Sequence, residues 1–103
     1  MKKSAVGIKH DTGKLKWSLL PIAPLKEVVK VYMFGAEKYG EGNWQKLENP
    51  KVRYYDAAMR HLLDWKDGEK INEESGLSHL AHVIWNIIAI LWFELREVID
   101  GKK

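Results

Sequence analysis

The sequence contains no cysteine, which excludes a disulfide framework and any metal site built from thiolates. A metal ion would have to be bound through histidine, carboxylate or water. The N-terminal segment MKKSAVGIKHD has no apolar core of the kind that secretory signals carry. The longest apolar run, residues 83–93, is interrupted by Asn86 and is too short to cross a bilayer. These absences predict a protein without a membrane-spanning segment and are compatible with the cytoplasm.

Sequence-specific recognition of nucleic acid also has no support, because no RNP, zinc-finger or helix-turn-helix signature occurs. The net charge is +3, and seven of the seventeen basic residues are lysines near the two ends of the chain, namely Lys2, Lys3, Lys9, Lys14, Lys16, Lys102 and Lys103. This balance suits a small anionic ligand or a weak contact with nucleic acid. Terminal lysines also keep small proteins soluble, and that interpretation stays open.

The composition predicts one folded domain spanning residues 1–103, since 46% of the residues are hydrophobic and 11% are aromatic. Residues 1–20 lack helical periodicity and contain a turn signal at 11–13, which predicts an extended arm or a short hairpin. Apolar residues at helical spacing then predict three helices, over about 25–39, 51–66 and 77–99. The expected fold class is all-α, with three main helices preceded by an extended N-terminal arm.

Each predicted helix has an apolar stripe that we expect to face the core. The three stripes are Val28, Val29, Tyr32, Met33, Ala36 and Tyr39; then Val52, Tyr55, Met59, Leu62 and Leu63; then Leu77, Leu80, Ile84, Ile87, Ile88, Leu91, Leu95 and Val98. The third helix is also apolar on a second side, at Val83, Ile90 and Phe93. Three helices cannot cover both sides of such a helix. A homodimer or homotetramer is therefore predicted to complete the bundle.

Three polar side chains recur on one face of the third helix. His79, His82 and Asn86 stand at i, i+3 and i+7, on the side opposite the predicted Leu/Ile stripe. Two histidines at this spacing can share one ligand or one metal ion. His61 follows Arg60 on the second helix and either faces the same cleft or is simply a packed residue.

An acidic turn precedes the third helix. Glu69, Glu73 and Glu74 supply the hard oxygen ligands that Mg²⁺ and Mn²⁺ prefer. Such a cation can bridge phosphate oxygens and lower the pKa of an attacking water. A solvated acidic turn is also favourable in front of a helix N-terminus without any ion, so both interpretations stay open.

Two further segments combine lysines with aromatic residues, a pattern suited to phosphate and base. They are KHDTGKLKW in the arm, with Lys9, Asp11, Lys14, Lys16 and Trp17, and GAEKYGEGNW, with Lys38, Tyr39, Asn43 and Trp44. Neither segment is a P-loop. An arm that only covers the core is an equally good account of the first one.

Read in order, these blocks resemble a known family. KHDTGKLKWSLLP, FGAEKYGEGNW at 34–44, YDAAMRHLLDWKDGE at 55–69 and ESGLSHLAH through to Asn86 are similar to the phage-type dATP/dGTP diphosphohydrolase N-terminal domain, a relative of the MazG-like all-α nucleotide pyrophosphohydrolases. SHLAHVIWNIIAIL is similar to the MazG-like helix EELxDVLWxLLAL, with His79 in place of Glu and His82 in place of Asp. The family commonly has an acidic residue where this chain has Asn72.

The resemblance implies an enzyme that converts dATP or dGTP to the monophosphate and pyrophosphate with Mg²⁺ or Mn²⁺. It implies three groups of site residues. The residues that hold the cation or orient its water are Glu69, Glu74, His79 and His82, and those that neutralise the phosphates are Lys9, Lys14, Lys38 and Arg60. Trp17 or Trp44 stacks on the base, while Asn43 and Asn86 contact polar edges of base or sugar. Asp11, Tyr39 and His61 are further expected substrate contacts. A phage-encoded member would act in the host cytoplasm.

Two rival hypotheses come from the same residues. In the first, the pocket sequesters a nucleotide or a nucleotide-derived immune signal without turning it over, as a phage protein directed against host defence would. The histidines in place of carboxylates and Asn72 favour this rival, whereas the glutamates of the turn favour the enzyme. In the second, the chain is a structural helical dimer or an adaptor, and its histidines only pack.

Overall fold

The computed structural model describes residues 6–101. The first five residues of the predicted arm, with Lys2 and Lys3, and the C-terminal Lys102 and Lys103 lie outside the described residues. Within residues 6–101 there are three α-helices, α1 (Ile22–Tyr39), α2 (Pro50–Lys66) and α3 (His79–Ile99). The same range contains two short 3₁₀ turns, at Trp17–Leu19 and Asn43–Lys46. Over residues 6–101 the β-structure is limited to one isolated bridge, between Ile71 and Ser78. The predicted all-α class is therefore confirmed.

The ends of α1 follow from local chemistry. Pro21 precedes the first helical residue and Pro24 lies in the first turn, where a missing N–H costs nothing. At the other end Gly40 adopts a φ of +95°, and its N–H donates to the Ala36 carbonyl at 2.8 Å. A glycine accepts this backbone conformation without the clash that a Cβ would cause, so the helix ends there.

The remaining helix ends also match the expected positions. Pro50 is the first residue of α2, after Asn49 in the left-handed region at a φ of +50°. Ser78, rather than Ser75, caps α3 by accepting a hydrogen bond from the Leu80 N–H at 3.1 Å. The N-cap leaves His79 as the first residue of α3, facing α2.

The core of the single chain is small. α3 packs along α2 and also contacts α1, and the buried apolar residues are Val28, Val31, Tyr54, Ala58, Ala81 and Ala89. The alanines let α2 and α3 approach closely because they have little side chain to separate the two backbones. Histidines 79 and 82 and Asn86 are buried in the same layer.

The predicted orientation of α3 is wrong for the single chain, because its histidine face is buried and its Leu/Ile stripe is exposed. Leu80, Ile84, Ile87, Leu91 and Leu95 all face solvent. The predicted stripe of α2 is likewise turned outward except for Met59, which is half-buried, and α1 exposes Val29, Met33 and Tyr39. Burial of the polar face is possible because hydrogen bonds satisfy its polar groups.

The chain is extended for its length. Its radius of gyration is 18.7 Å, whereas a compact domain of this length has about 13 Å. Its accessible surface is 8589 Å², against about 6,000 Å² for a compact monomer of this size. The exposed apolar stripes and the arm account for this difference. Within residues 6–101 no helix is both long and apolar enough to span a membrane.

Candidate functional site

A cavity of about 480 Å³ lies between the three helices and the 3₁₀ turn at Asn43–Lys46. This volume falls in the range of small-molecule sites. Its lining falls into four groups, which are aromatic residues (Tyr32, Phe34, Tyr39, Trp44, Tyr54 and Trp85), neutral polar residues (Asn43, His61, Asn72, His82 and Asn86), charged residues (Lys38, Arg53, Arg60 and Glu74), and small or aliphatic residues (Val31, Gly35, Gly40, Leu47 and Ala57). Aromatic and basic groups in one cavity suit a ligand that has both a flat ring and negative charge.

Four of the aromatic residues hold one another in place, and we call them the aromatic wall: Tyr32, Trp44, Tyr54 and Trp85. Trp85 lies 5.5 Å from Tyr32 and 5.3 Å from Tyr54 between ring centroids, and Trp44 lies 6.1 Å from Tyr32. The Tyr54 hydroxyl donates to the Trp44 carbonyl at 2.7 Å, which ties the 3₁₀ turn to α2. A wall fixed in this way can stack on a base at low entropic cost.

Three histidines meet beside the cavity, His61 from α2 and His79 and His82 from α3, and the first and last of these line it. The rings of His61 and His82 stack with centroids 4.4 Å apart, and Nδ1 of His61 lies 2.8 Å from Nδ1 of His79. At that distance one proton lies between the two nitrogens, so one ring donates and the other accepts. His79 is 1% exposed, which makes this contact part of the interior.

The surroundings of His61 and His82 favour the neutral form of these two rings. Burial lowers the pKa of His82 to about 4, and the nearby rings of His61 and His79 add to the lowering against the opposing charge of Glu74. Burial also lowers the pKa of His61, again with a contribution from His79. Neutral rings are the form that binds metal ions and accepts hydrogen bonds.

A group of three side chains beside this cluster fits a divalent cation. One ligand atom each from Asp64, Glu69 and His79 lie within 4.8 Å of one another, and Nε2 of His79 is 3.0 Å from the Glu69 carboxylate. Neighbouring ligands of an octahedral Mg²⁺ or Mn²⁺ lie about 3 Å apart and opposite ones about 4.2 Å. Asp64 and Glu69 are exposed and can adjust, so two carboxylates and one imidazole match the oxygen and nitrogen chemistry of such an ion.

The turn between α2 and α3, residues 69–76, places several side chains through its own hydrogen bonds. The Asn72 side chain accepts from the Ser75 N–H at 2.9 Å, and the Gly76 N–H donates to the Asn72 carbonyl at 2.8 Å. These bonds hold the Ser75 hydroxyl 2.7 Å from Nε2 of His82. The Glu69 N–H donates to the Asp64 carbonyl at 3.0 Å, which keeps these two carboxylate-bearing residues together.

The structure divides the four residues that the sequence assigned to the cation. Glu69 and His79 lie in the cation-fitting group, joined by Asp64, whereas His82 and Glu74 line the cavity. Glu74 forms an ion pair with Lys38, which connects the turn to the end of α1, and both residues line the cavity. The hydrogen bond with Glu74 raises the pKa of Lys38.

The other predicted contacts separate into two sets. Lys38, Tyr39, Asn43, Trp44, Arg60, His61 and Asn86 all line the cavity. Lys9, Asp11, Lys14 and Trp17 lie on the exposed arm and are not part of the cavity lining in their own chain. The arm forms a turn in which the Lys14 N–H donates to the Asp11 carbonyl at 3.1 Å.

Sequence reasoning missed Asp64 as a member of the cation-fitting group and Tyr32, Tyr54 and Trp85 as cavity residues. Spacing held a signal for two of them. Tyr54 and His61 stand seven residues apart on α2, and Asp64 follows His61 by three, so all three share one helical face. The side chain of Asn86 also plays a local role, since it donates to the His82 carbonyl at 2.8 Å within α3.

Comparison with known proteins adds an independent line of evidence. Residues 4–102 match the family described as dATP/dGTP diphosphohydrolase, N-terminal. A protein of Salmonella phage PMBT28, named dATP/dGTP diphosphohydrolase, is 38% identical over 86 residues. Those residues are 84% of this chain and 29% of the phage protein, so the chain spans less than a third of its relative's length. No solved structure matches the chain.

Proposed function

This chain belongs to the dATP/dGTP diphosphohydrolase N-terminal family, and we propose that it hydrolyses a purine deoxynucleoside triphosphate to the monophosphate and pyrophosphate. One observation carries the proposal. The contact between His61 and His79 joins a cavity of nucleotide size to a carboxylate–histidine group that fits a divalent cation. A nucleotide in the cavity would therefore have its phosphates next to the place where a cation can be held.

The cavity's chemistry supports an orientation for the nucleotide. The purine stacks on the aromatic wall, where Trp44 and Trp85 offer the largest ring faces. Lys38, Arg53 and Arg60 neutralise the phosphates, and the guanidinium groups can each donate two parallel hydrogen bonds to phosphate oxygens. Asn43 and Asn86 then provide hydrogen bonds to polar edges of base or sugar.

Asp64, Glu69 and His79 would hold Mg²⁺ or Mn²⁺. When bound, such a cation polarises phosphate oxygens and lowers the pKa of an attacking water. In the proposed hydrolysis a water oxygen would bond to the α-phosphorus as the bond to the pyrophosphate oxygen breaks, and the water's proton would pass to solvent. His61 would fix the orientation of the His79 ring through their 2.8 Å contact, as hydrogen-bond partners of metal-binding histidines commonly do.

The test is a pyrophosphate-release assay over the eight common nucleoside triphosphates, with Mg²⁺ and with Mn²⁺. We expect release from purine deoxynucleotides, and Asp64→Asn should lower kcat/KM by about 100-fold because it removes a charged ligand. Asp56→Asn is the matched control, since Asp56 is an exposed carboxylate on the same helix and lies outside both the cation-fitting group and the cavity lining. If no triphosphate releases pyrophosphate even at high protein concentration, the proposed enzymatic activity is refuted.

A second function is favoured by one specific feature of the site. Both ring nitrogens of His79 and one of His82 already have protein partners, in Glu69, His61 and Ser75, so these three nitrogens are hydrogen-bonded without a cation. A protein that sequesters a nucleotide or a nucleotide-derived immune signal would need such a pocket but no metal ion. Calorimetry in the presence of a chelator separates the two functions, because tight binding of an unchanged nucleotide without metal would favour sequestration.

We also propose that the working form is a homodimer or a homotetramer. The accessible surface exceeds that of a compact monomer by about 2,600 Å², and part of this excess is the exposed Leu/Ile stripe of α3. A standard interface removes about 800 Å² from each partner, which is less than this excess of total surface. Sedimentation velocity over a range of concentrations tests the assembly, and a monomer throughout would contradict it.

A further inference from the structure

The N-terminal arm, residues 6–20, is exposed along its whole length although it has defined local structure. Trp17 is 71% exposed and Ile8 is 84% exposed, and Leu15 and Leu19 are similarly open. The arm nevertheless contains the turn at Asp11–Lys14 and the 3₁₀ turn at Trp17–Leu19. Large apolar side chains that stay exposed in a segment with defined local structure indicate that the segment binds a surface outside its own chain.

The arm's charge identifies the kind of surface that it fits. Three lysines, Lys9, Lys14 and Lys16, stand against one carboxylate, Asp11, so the arm is basic as well as apolar. A segment of this kind needs a surface with acidic and apolar groups side by side.

Such a surface is present where α2 ends and the following turn begins, over residues 62–74. We call it the acidic end. It carries five carboxylates, Asp64, Asp67, Glu69, Glu73 and Glu74, against two lysines, Lys66 and Lys70. Exposed Leu62, Leu63 and Ile71 lie among them. The acidic end is thus complementary to the arm in both charge and hydrophobicity.

The arm does not dock on the acidic end of its own chain in the structure. Residues 6–20 are all exposed, and none of them lines the cavity to which Glu74 belongs. Among the described residues, Glu69 pairs with His79 and Glu74 pairs with Lys38, and neither pairs with a lysine of the arm. The arm therefore remains available to the acidic end of a second copy.

We propose that the arm of one copy docks on the acidic end of a second copy and thereby brings lysines to that copy's cavity. This inference rests on the proposed nucleotide site, because Glu74 belongs both to the acidic end and to the cavity lining. Lys9 and Lys14 then supply, from the neighbouring copy, the positive charge for phosphates that they do not supply in their own chain.

Crosslinking tests the docking without any nucleotide, and the absence of cysteine makes it clean. Chains carrying Lys14→Cys and a size tag are co-expressed with untagged chains carrying Glu73→Cys, then oxidised. We expect a covalent species that contains one tagged and one untagged chain. Lys26→Cys, an exposed lysine on α1, replaces Lys14→Cys in the matched control and should give none.

Every other outcome overturns the docking. A chain carrying both cysteines that closes on itself would show that the arm serves its own copy. An assembled protein without the mixed crosslink, or a protein that sediments as a monomer at the assay concentration, would contradict it equally. These results leave the nucleotide site untouched, because pyrophosphate release by the wild type is measured separately.

Complementation gives a functional readout. Chains with Lys9→Ala and Lys14→Ala keep an intact cavity, whereas chains with Asp64→Asn keep an intact arm. Each should lose at least about tenfold in kcat/KM when alone, since charge-assisted contacts or a metal ligand are missing. Co-expressed as mixed dimers, they should regain activity, because one intact cavity then receives one intact arm. If the mixed sample is no more active than the average of the two separate samples, transfer of the arm between copies is overturned.

Discussion

Acidification from pH 7 to pH 5 is expected to destabilise the fold through His82. Burial lowers the pKa of His82 to about 4 from 6.5, so the unfolded chain takes up a proton between these values that the folded chain does not. The unfolded state therefore binds more protons in this window, and stability falls as the pH falls through it. Below pH 4 both states carry the proton and the decline from this group ends.

The magnitude follows from the two pKa values. At pH 5 the difference in proton uptake by His82 costs about 2 kcal/mol of folding free energy relative to pH 7. For a domain of this size that corresponds to a fall in Tm of about 10 °C. His61, whose pKa is also lowered by burial, acts in the same direction.

The assay is thermal unfolding followed by circular dichroism at fixed protein concentration, from pH 7.5 to pH 4.5. His82→Gln removes the titrating group while keeping a side chain that can bond Ser75, so its Tm should depend less on pH. His10→Gln, on the exposed arm, is the matched control and should keep the wild-type dependence. A wild-type Tm that is flat between pH 7 and pH 5 would refute the reasoning, as would an equal slope in His82→Gln.

Three further predictions concern the cavity and the outer surface. Glu74→Gln should tighten nucleotide binding several-fold in calorimetry, because Lys38 no longer has an anionic partner to exchange for phosphate; equal or weaker affinity would contradict this. Tyr54→Phe should cost about 1 kcal/mol in urea unfolding through loss of its bond to the Trp44 carbonyl, and a wild-type midpoint would show that this bond contributes nothing. Leu91→Glu, on the exposed stripe of α3, should yield monomers by sedimentation with helicity unchanged, and an intact assembly would place the interface elsewhere.

Local chemistry accounts for why the helices were predictable. Proline before α1, glycine after it, and a serine cap before α3 act within a few residues of the positions they mark. The cavity residues Lys38, Asn43 and Trp44 were also within reach, since they belong to short glycine-marked segments that carry both charge and aromatic rings. The family resemblance supplied the order of these segments and is confirmed by the comparisons.

Asp64 shows why the cation-fitting group was only half predictable. Glu69 and His79 stand out in the sequence, but Asp64 joins them because the backbone bond from Glu69 to Asp64 folds the turn back onto α2. Glu74, five residues after Glu69, is directed to Lys38 instead. The presence of several carboxylates in one short turn does not show which of them lies beside His79 and which pairs with Lys38.

The sequence by itself determined the helices, their ends and the polar residues of the third helix, because spacing and capping are properties of neighbouring residues. It could not determine which face of that helix would be buried, since both faces are rich enough in apolar or hydrogen-bonding groups to be covered. Only the tertiary structure decided this. The contacts of His79 with His61 and Glu69, and of His82 with Ser75, satisfy the polar face inside the chain and leave the Leu/Ile stripe outside.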